Sequence, residues 1–88
     1  MTDPVVSFRE EITAVDRELL DAFNRRLELV TRLHEYKRAE GLALRDPGRE
    51  EALVRGLQEA NAGPLSDGGV AELFGFVLDL TRREIHGA

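Results

Sequence analysis

From Val5 to Glu40 the chain contains neither proline nor glycine, and Phe8, Ile12, Val15, Leu19 and Phe23, then Val30 and Leu33 two turns on, recur there at helical spacing in steps of three, four and seven. A continuous helix over that stretch is about 54 Å long at 1.5 Å per residue, far beyond the usual length of about 12 residues. Its apolar stripe covers some ten turns, which no short helix can cover alone.

The remaining elements follow from local signals. Asp3 or Ser7 can cap the long helix, with Glu10 completing a capping box from Ser7, and Gly41 marks its end. Asp46-Pro47 reads as a cap followed by proline at the first helical position, opening a second helix that carries Leu53, Val54 and Leu57 and stops near Asn61. Asn61-Ala62-Gly63-Pro64 breaks the chain. Ser66 or Asp67 then opens a third helix with Val70, Leu73, Phe74, Val77, Leu78 and Ile85 at helical spacing, despite Gly68, Gly69 and Gly75. The expectation is an all-α fold, one long helix and two shorter ones, forming a single domain over residues 1–88. Each shorter helix spans about half of the long stripe, so a second copy of the chain is the economical cover, giving an intertwined helical homodimer.

Composition narrows the function. With 88 residues and no cysteine, the chain has neither disulfides nor thiolate zinc sites to support a small core. Its two histidines, His34 and His86, are too distant in sequence to suggest a metal site. The N-terminal stretch lacks a basic, then apolar, leader, and no segment approaches the roughly 18 to 20 apolar residues of a membrane span. A formal net charge of −5 opposes binding to nucleic acid or anionic lipid. The expectation is a cytoplasmic protein with no nucleic-acid or membrane partner.

The most informative feature is charge within the stripe. Its extension from Phe23 towards Val30 meets Arg26, and beyond Leu33 it meets Lys37. Either the stripe drifts and both cations snorkel to solvent, or they face inward and are balanced by buried carboxylates or an anionic ligand, because an unpaired buried cation costs several kcal/mol. Eleven residues separate Arg26 from Lys37, which puts them within about 20° on the helix surface and about 16 Å apart along it. Two long side chains can converge on one small ligand from there. Arg9 lies some 25 Å from Arg26 along the helix, so it is either a solvated first-turn residue or reaches a site in a partner chain. Arg45-Asp46-Pro47-Gly48-Arg49-Glu50-Glu51 is at least a helix start with acidic residues near the positive end of the dipole. The same segment puts backbone N–H groups, carboxylates and an arginine where an anion bearing a hydroxyl is readily held.

Taken together, Arg9 in Phe-Arg-Glu-Glu-Ile, Asp16, Arg26 in Asn-Arg-Arg-Leu-Glu-Leu, Lys37, Asp46-Pro47-Gly48-Arg49-Glu50 and the Gly63-Pro64-Leu65-Ser66 turn resemble the all-helical (AroQ-type) chorismate mutases. The resemblance implies an intertwined homodimer with two equivalent sites, each completed by Arg9 from the other protomer. It implies conversion of chorismate to prephenate by a [3,3] pericyclic (Claisen) rearrangement in aromatic amino-acid biosynthesis, an isomerase reaction of the shikimate pathway with no cofactor or metal. By the family pattern, Arg9, Arg26 and Arg49 bind the two substrate carboxylates, Lys37 donates to the ether oxygen of the breaking bond, and Asp46 and Glu50 recognise the ring hydroxyl. Lys37, Arg26 and Glu50 are the catalytic set.

This residue set suits that reaction. Clamping both carboxylates folds a flexible substrate into its reactive shape, and a preorganised ammonium stabilises the charge that grows on the ether oxygen. The chain departs from the pattern on the third helix. Thr81 falls where the family has a small hydroxyl residue, but Ile85 stands where a Gln or Glu gives the second donor to the ether oxygen. Either a helix shift presents the neighbouring Glu84, or that donor is missing, or a partner enzyme of the same pathway rearranges the Ile85-His86-Gly87-Ala88 tail. Two other readings keep the fold: an isochorismate pyruvate lyase or amino-deoxychorismate mutase of a secondary pathway, and a non-enzymatic helical dimerisation or metabolite-sensing domain.

Overall fold

In the computed structural model, which describes residues 3–86, the chain forms three helices: α1 (Pro4–Ala39), α2 (Pro47–Ala60) and α3 (Asp67–His86), with no strand among the described residues. The all-helical architecture of one long and two shorter elements is therefore as expected. The chain divides at His34 and Glu35 into two units, so α1 begins in the first and ends in the second.

In the first unit, Asp3 rather than Ser7 starts the helix. The Asp3 carboxylate accepts from the Val5 N–H at 2.9 Å, and its carbonyl accepts from the Ser7 N–H at 3.0 Å. Proline at the first helical position has no N–H to leave unsatisfied, so Asp3-Pro4 is a complete start signal and Ser7 lies inside the helix. The early stripe is uncovered: Phe8, Ile12, Val15 and Leu19 are 64%, 58%, 52% and 62% exposed. Farther on, Phe23, Arg26, Leu27, Val30 and His34 are half-buried. Leu33, expected within the stripe, is instead exposed: the half-buried row steps three, four and four from Phe23 through Arg26 and Val30 to His34, which stands one residue and about 100° from Leu33.

The second unit opens on the last turn of α1, where Lys37 is half-buried. That turn closes with the paired bonds of a Schellman motif: Leu42 N–H to Lys37 O at 2.8 Å and Gly41 N–H to Arg38 O at 3.2 Å. Gly41 has φ +69°, a left-handed conformation that side-chain-bearing residues adopt at a cost. At the start of α2, Asp46 takes an extended backbone (φ −133°, ψ 92°) and its carboxylate accepts from the Arg49 N–H at 3.1 Å.

Between α2 and α3 the turn is held by Asn61. Its amide donates to Leu65 O at 2.6 Å and its side-chain carbonyl accepts from the Gly63 N–H at 3.0 Å, around a cis Gly63-Pro64 bond. Ser66 then caps α3, accepting from the Gly69 N–H at 3.0 Å. Gly69 lies close to the turn: a Cβ there would lie 2.6 Å from Cδ1 of the exposed Leu65 side chain. The two helices pack as an antiparallel hairpin, tied near the turn by Gln58 Nε2 donating to Asp67 O at 3.0 Å and at the open end by Arg82 and Glu50.

Among the described residues only Val70 and Thr81 are buried, both on α3, while Leu53, Val54, Leu57, Phe74, Val77 and Leu78 are half-buried. Leu73 departs from the expected inward stripe and is exposed, as is Phe76 three residues on, so α3 carries a second apolar line beside its packed one. An open apolar hollow of about 260 Å³ remains between α2 and α3, lined by Leu57, Ala60, Asn61, Leu65, Val70 and Phe74.

Candidate active site

The first turn of α2 brings three of the expected residues together. Asp46 is committed to capping through one carboxylate oxygen, Arg49 supplies the N–H it holds, and Glu50 follows on the same turn, its own N–H donating to Asp46 O at 3.2 Å. Asp46 and Arg49 are exposed and Glu50 is half-buried. The positive end of the α2 dipole and the Arg49 guanidinium favour an anion, while Asp46 and Glu50 offer acceptors for a hydroxyl.

Antiparallel packing brings the last turns of α3 to this end of α2. Arg82 Nη1 donates to Glu50 Oε1 at 2.9 Å, and Arg82 Nη2 donates to Asp79 Oδ1 on the preceding turn of α3. Arg45 Nη2 stands 3.9 Å from the other Glu50 oxygen, Oε2. Thr81, adjacent to Arg82, is 6% exposed, and its hydroxyl donates to Val77 O at 2.6 Å. Ile85 is half-buried one turn farther, while Glu84 is exposed. The helix runs unbroken from Asp67 to His86, which puts Glu84 about 100° round it from Ile85.

Sequence reasoning passed over Arg82. The visible signal was Asp79 three residues before it, a helical ion-pair spacing, but Glu50 as its second partner depends on the α2–α3 pairing and cannot be read from local pattern. On α1, Arg26 and Lys37 are both half-buried on the row through Phe23, Val30 and His34, whereas Arg9 and Asp16 are exposed beside the uncovered apolar residues. Among the described residues no group of three or more His, Asp or Glu side chains is arranged to hold a metal ion.

Residues 8–85 match the family model described as chorismate mutase type II. The chain belongs to that family. Among curated relatives of this type II chorismate mutase family member, the T-protein of Haemophilus influenzae is 41% identical over 61 residues, covering 67% of this chain and 16% of that protein. The bifunctional chorismate mutase/prephenate dehydratase of Neisseria gonorrhoeae is 37% identical over 70 residues, covering 80% of this chain and 19% of that protein. The chain thus spans less than a fifth of the length of these two relatives. Solved chorismate mutase structures from Thermus thermophilus match at nearly full length. Form II has a TM-score of 0.87 at 29% identity, covering 91% of both chains, and form I has the same score and identity, covering 90% of this chain and 99% of that one.

Proposed function

We propose that this chain is a chorismate mutase, converting chorismate to prephenate in aromatic amino-acid biosynthesis. The observation that carries the reading is a family match over residues 8–85 combined with Arg26 and Lys37 on the half-buried row of α1. A chain with only structural duties would gain stability from Leu or Met at such positions. In the reaction the ether C–O bond breaks as a C–C bond forms within one molecule, so no external base or oxidant is required. The protein's contribution is orientation and electrostatics.

In this reading residues 1–88 act as a single domain in a cytoplasmic homodimer. No helix among the described residues is long and apolar enough to cross a membrane. Arg26 and Arg49 grip the substrate carboxylates together with Arg9 of the opposite protomer. Lys37 donates to the ether oxygen, and Asp46 and Glu50 accept from the ring hydroxyl. Thr81 and Ile85 line the site from α3. The exposed Phe8, Ile12, Val15 and Leu19 row gives the second protomer an apolar face to cover, which brings Arg9 to a site in trans.

The test follows loss of chorismate absorbance and identifies the product by chromatography against prephenate and pyruvate standards. Prephenate formation that falls about a hundredfold to a thousandfold in Lys37→Ala, with an unchanged melting temperature, supports the assignment. Pyruvate released from isochorismate instead moves the chain to lyase chemistry, the reading for which Ile85 in place of a donor leaves room. Marked unfolding of both Lys37→Ala and Arg26→Ala turns the cations into structural residues. Titrating in the first enzyme of the aromatic pathway checks whether a partner compensates for Ile85: no rise in rate removes partner activation.

A further inference from the structure

Glu50 is the acceptor whose orientation the structure defines most fully. Its carboxylate sits on the first turn of α2 with both oxygens addressed: Oε1 receives the Arg82 Nη1 hydrogen bond at 2.9 Å, and Oε2 lies 3.9 Å from Arg45 Nη2, an ion-pair distance too long for a hydrogen bond. The Arg82 guanidinium is itself fixed. Its second nitrogen bonds Asp79 one turn back on α3, so the planar fork is held at two points. Arg82 and Glu50 keep side-chain exposures of 33% and 25%, which leaves them reachable by a small ligand while restricting their rotamers.

We infer that Arg82 is a positioning residue for substrate recognition. It occupies Glu50 Oε1 and thereby presents Oε2 as the acceptor for the ring hydroxyl. The inference rests on the chorismate mutase reading and deepens it by naming a residue on α3 that acts through Glu50. A glutamate has three rotatable bonds, and a freely rotating one would be ordered only when substrate binds, at an entropic cost to affinity. The Asp79–Arg82–Glu50 chain performs that ordering in advance. Because α3 also carries Thr81 and Ile85, the same tether fixes the register between the hydroxyl-recognising turn of α2 and the part of α3 that lines the site.

The experiment is a double-mutant cycle on full-length protein with chorismate as the probe, reading kcat, KM and melting temperature for wild type, Arg82→Ala, Glu50→Gln and the double variant, with Arg82→Lys and Asp79→Asn alongside. Arg82→Ala is expected to raise KM about tenfold while changing kcat far less, because it removes ordering that ground state and transition state share. In the Glu50→Gln background the same substitution should add less than about twofold. Arg82→Lys, which can reach Glu50 but cannot fork to Asp79, should fall between wild type and alanine, and Asp79→Asn should show a smaller rise in KM. An unchanged KM in Arg82→Ala, or losses from Arg82→Ala and Glu50→Gln that multiply in full, overturns the positioning role, as does a KM rise that merely tracks melting temperature across the series. Wild-type protein that neither binds nor converts chorismate refutes the mutase reading and this role together, an outcome separable from wild-type turnover with an unaffected Arg82→Ala variant.

Discussion

Asp46 has two separable duties, and a pair of substitutions can divide them. Its carboxylate caps α2 by accepting the Arg49 N–H at 3.1 Å, and the proposed function also gives it the ring hydroxyl. Replacing an N-cap aspartate by alanine costs about 1 kcal/mol, and asparagine caps about as well as aspartate. In a domain of this size 1 kcal/mol corresponds to about 4–8 °C in melting temperature, so Asp46→Ala should fall by that amount. Asp46→Asn should fall by less than half as much, because it keeps a capping oxygen and loses only the favourable charge at an exposed helix N-terminus, about 0.3 kcal/mol. Activity should divide differently. A hydrogen bond from a neutral hydroxyl to a charged acceptor is worth about 1.5–3 kcal/mol, so both variants should lose roughly tenfold to a hundredfold in kcat/KM. Circular dichroism melts and the chorismate absorbance assay read the two quantities on the same preparations. Full activity in the asparagine variant, with loss only where stability is lost, makes Asp46 a capping residue alone and refutes its role in recognition. Equal destabilisation by both variants refutes the capping argument instead.

Three further outcomes follow from particular residues. Ile85→Gln returns a donor to the half-buried position one turn beyond Thr81, and the rate of prephenate formation should rise by up to about 10²; a folded variant with an unchanged or lower rate removes the missing donor as the explanation for Ile85. Gly69→Ala puts a Cβ 2.6 Å from Cδ1 of Leu65, the end of a 46% exposed side chain that can turn aside, and 3.1 Å from the Ser66 Oγ cap; with the cap kept, the helix-propensity gain, up to about 1 kcal/mol, should raise the melting temperature, and a drop would show that the new methyl displaces the cap. Mixing inactive Arg9→Ala and Lys37→Ala chains under exchange conditions should restore about a quarter of wild-type activity, since half of randomly paired dimers carry one intact site out of two; no recovery, with exchange verified, would place Arg9 outside the site of the other protomer.

The helix boundaries were legible because they rest on chemistry local to a few residues. Asp46-Pro47 states its own cap, Gly41 supplies the left-handed residue that a Schellman end requires, and Ser66 needs only the N–H of Gly69. The inward row of α1 was legible in part. Extending it through Leu33 misses His34 because the observed row takes two successive steps of four, from Arg26 to Val30 and from Val30 to His34, where an alternating step of three lands on Leu33, whose hydrophobicity attracts a pattern reading that ignores a polar neighbour. Leu73 failed for a different reason: α3 carries two apolar lines, and periodicity alone does not tell which one faces α2. Of the candidate site, the cluster on the first turn of α2 was readable as sequence neighbours, and so was the one-turn relation of Thr81 to Ile85. The Arg82–Glu50 bond was not, since it joins residues that only antiparallel packing brings into reach.

A single helix carries two kinds of surface in succession, and on the proposed reading this links assembly to chemistry. The N-terminal half of α1 presents Phe8, Ile12, Val15 and Leu19 with Arg9 beside them, and the half-buried row that follows includes Arg26 and later Lys37. At about 25 cal/mol per Å² of apolar surface, covering such side chains is a substantial driving force for association, whereas the single chain buries almost nothing fully among the described residues. On the proposed reading, the interaction that stabilises the protomer is also the one that delivers Arg9 to the opposite site. Dilution below the dimer dissociation constant would then reduce activity and thermal stability together, because the same apolar row governs both. An activity that stays constant per chain through dissociation would separate the two and leave Arg9 without a catalytic reason for its position.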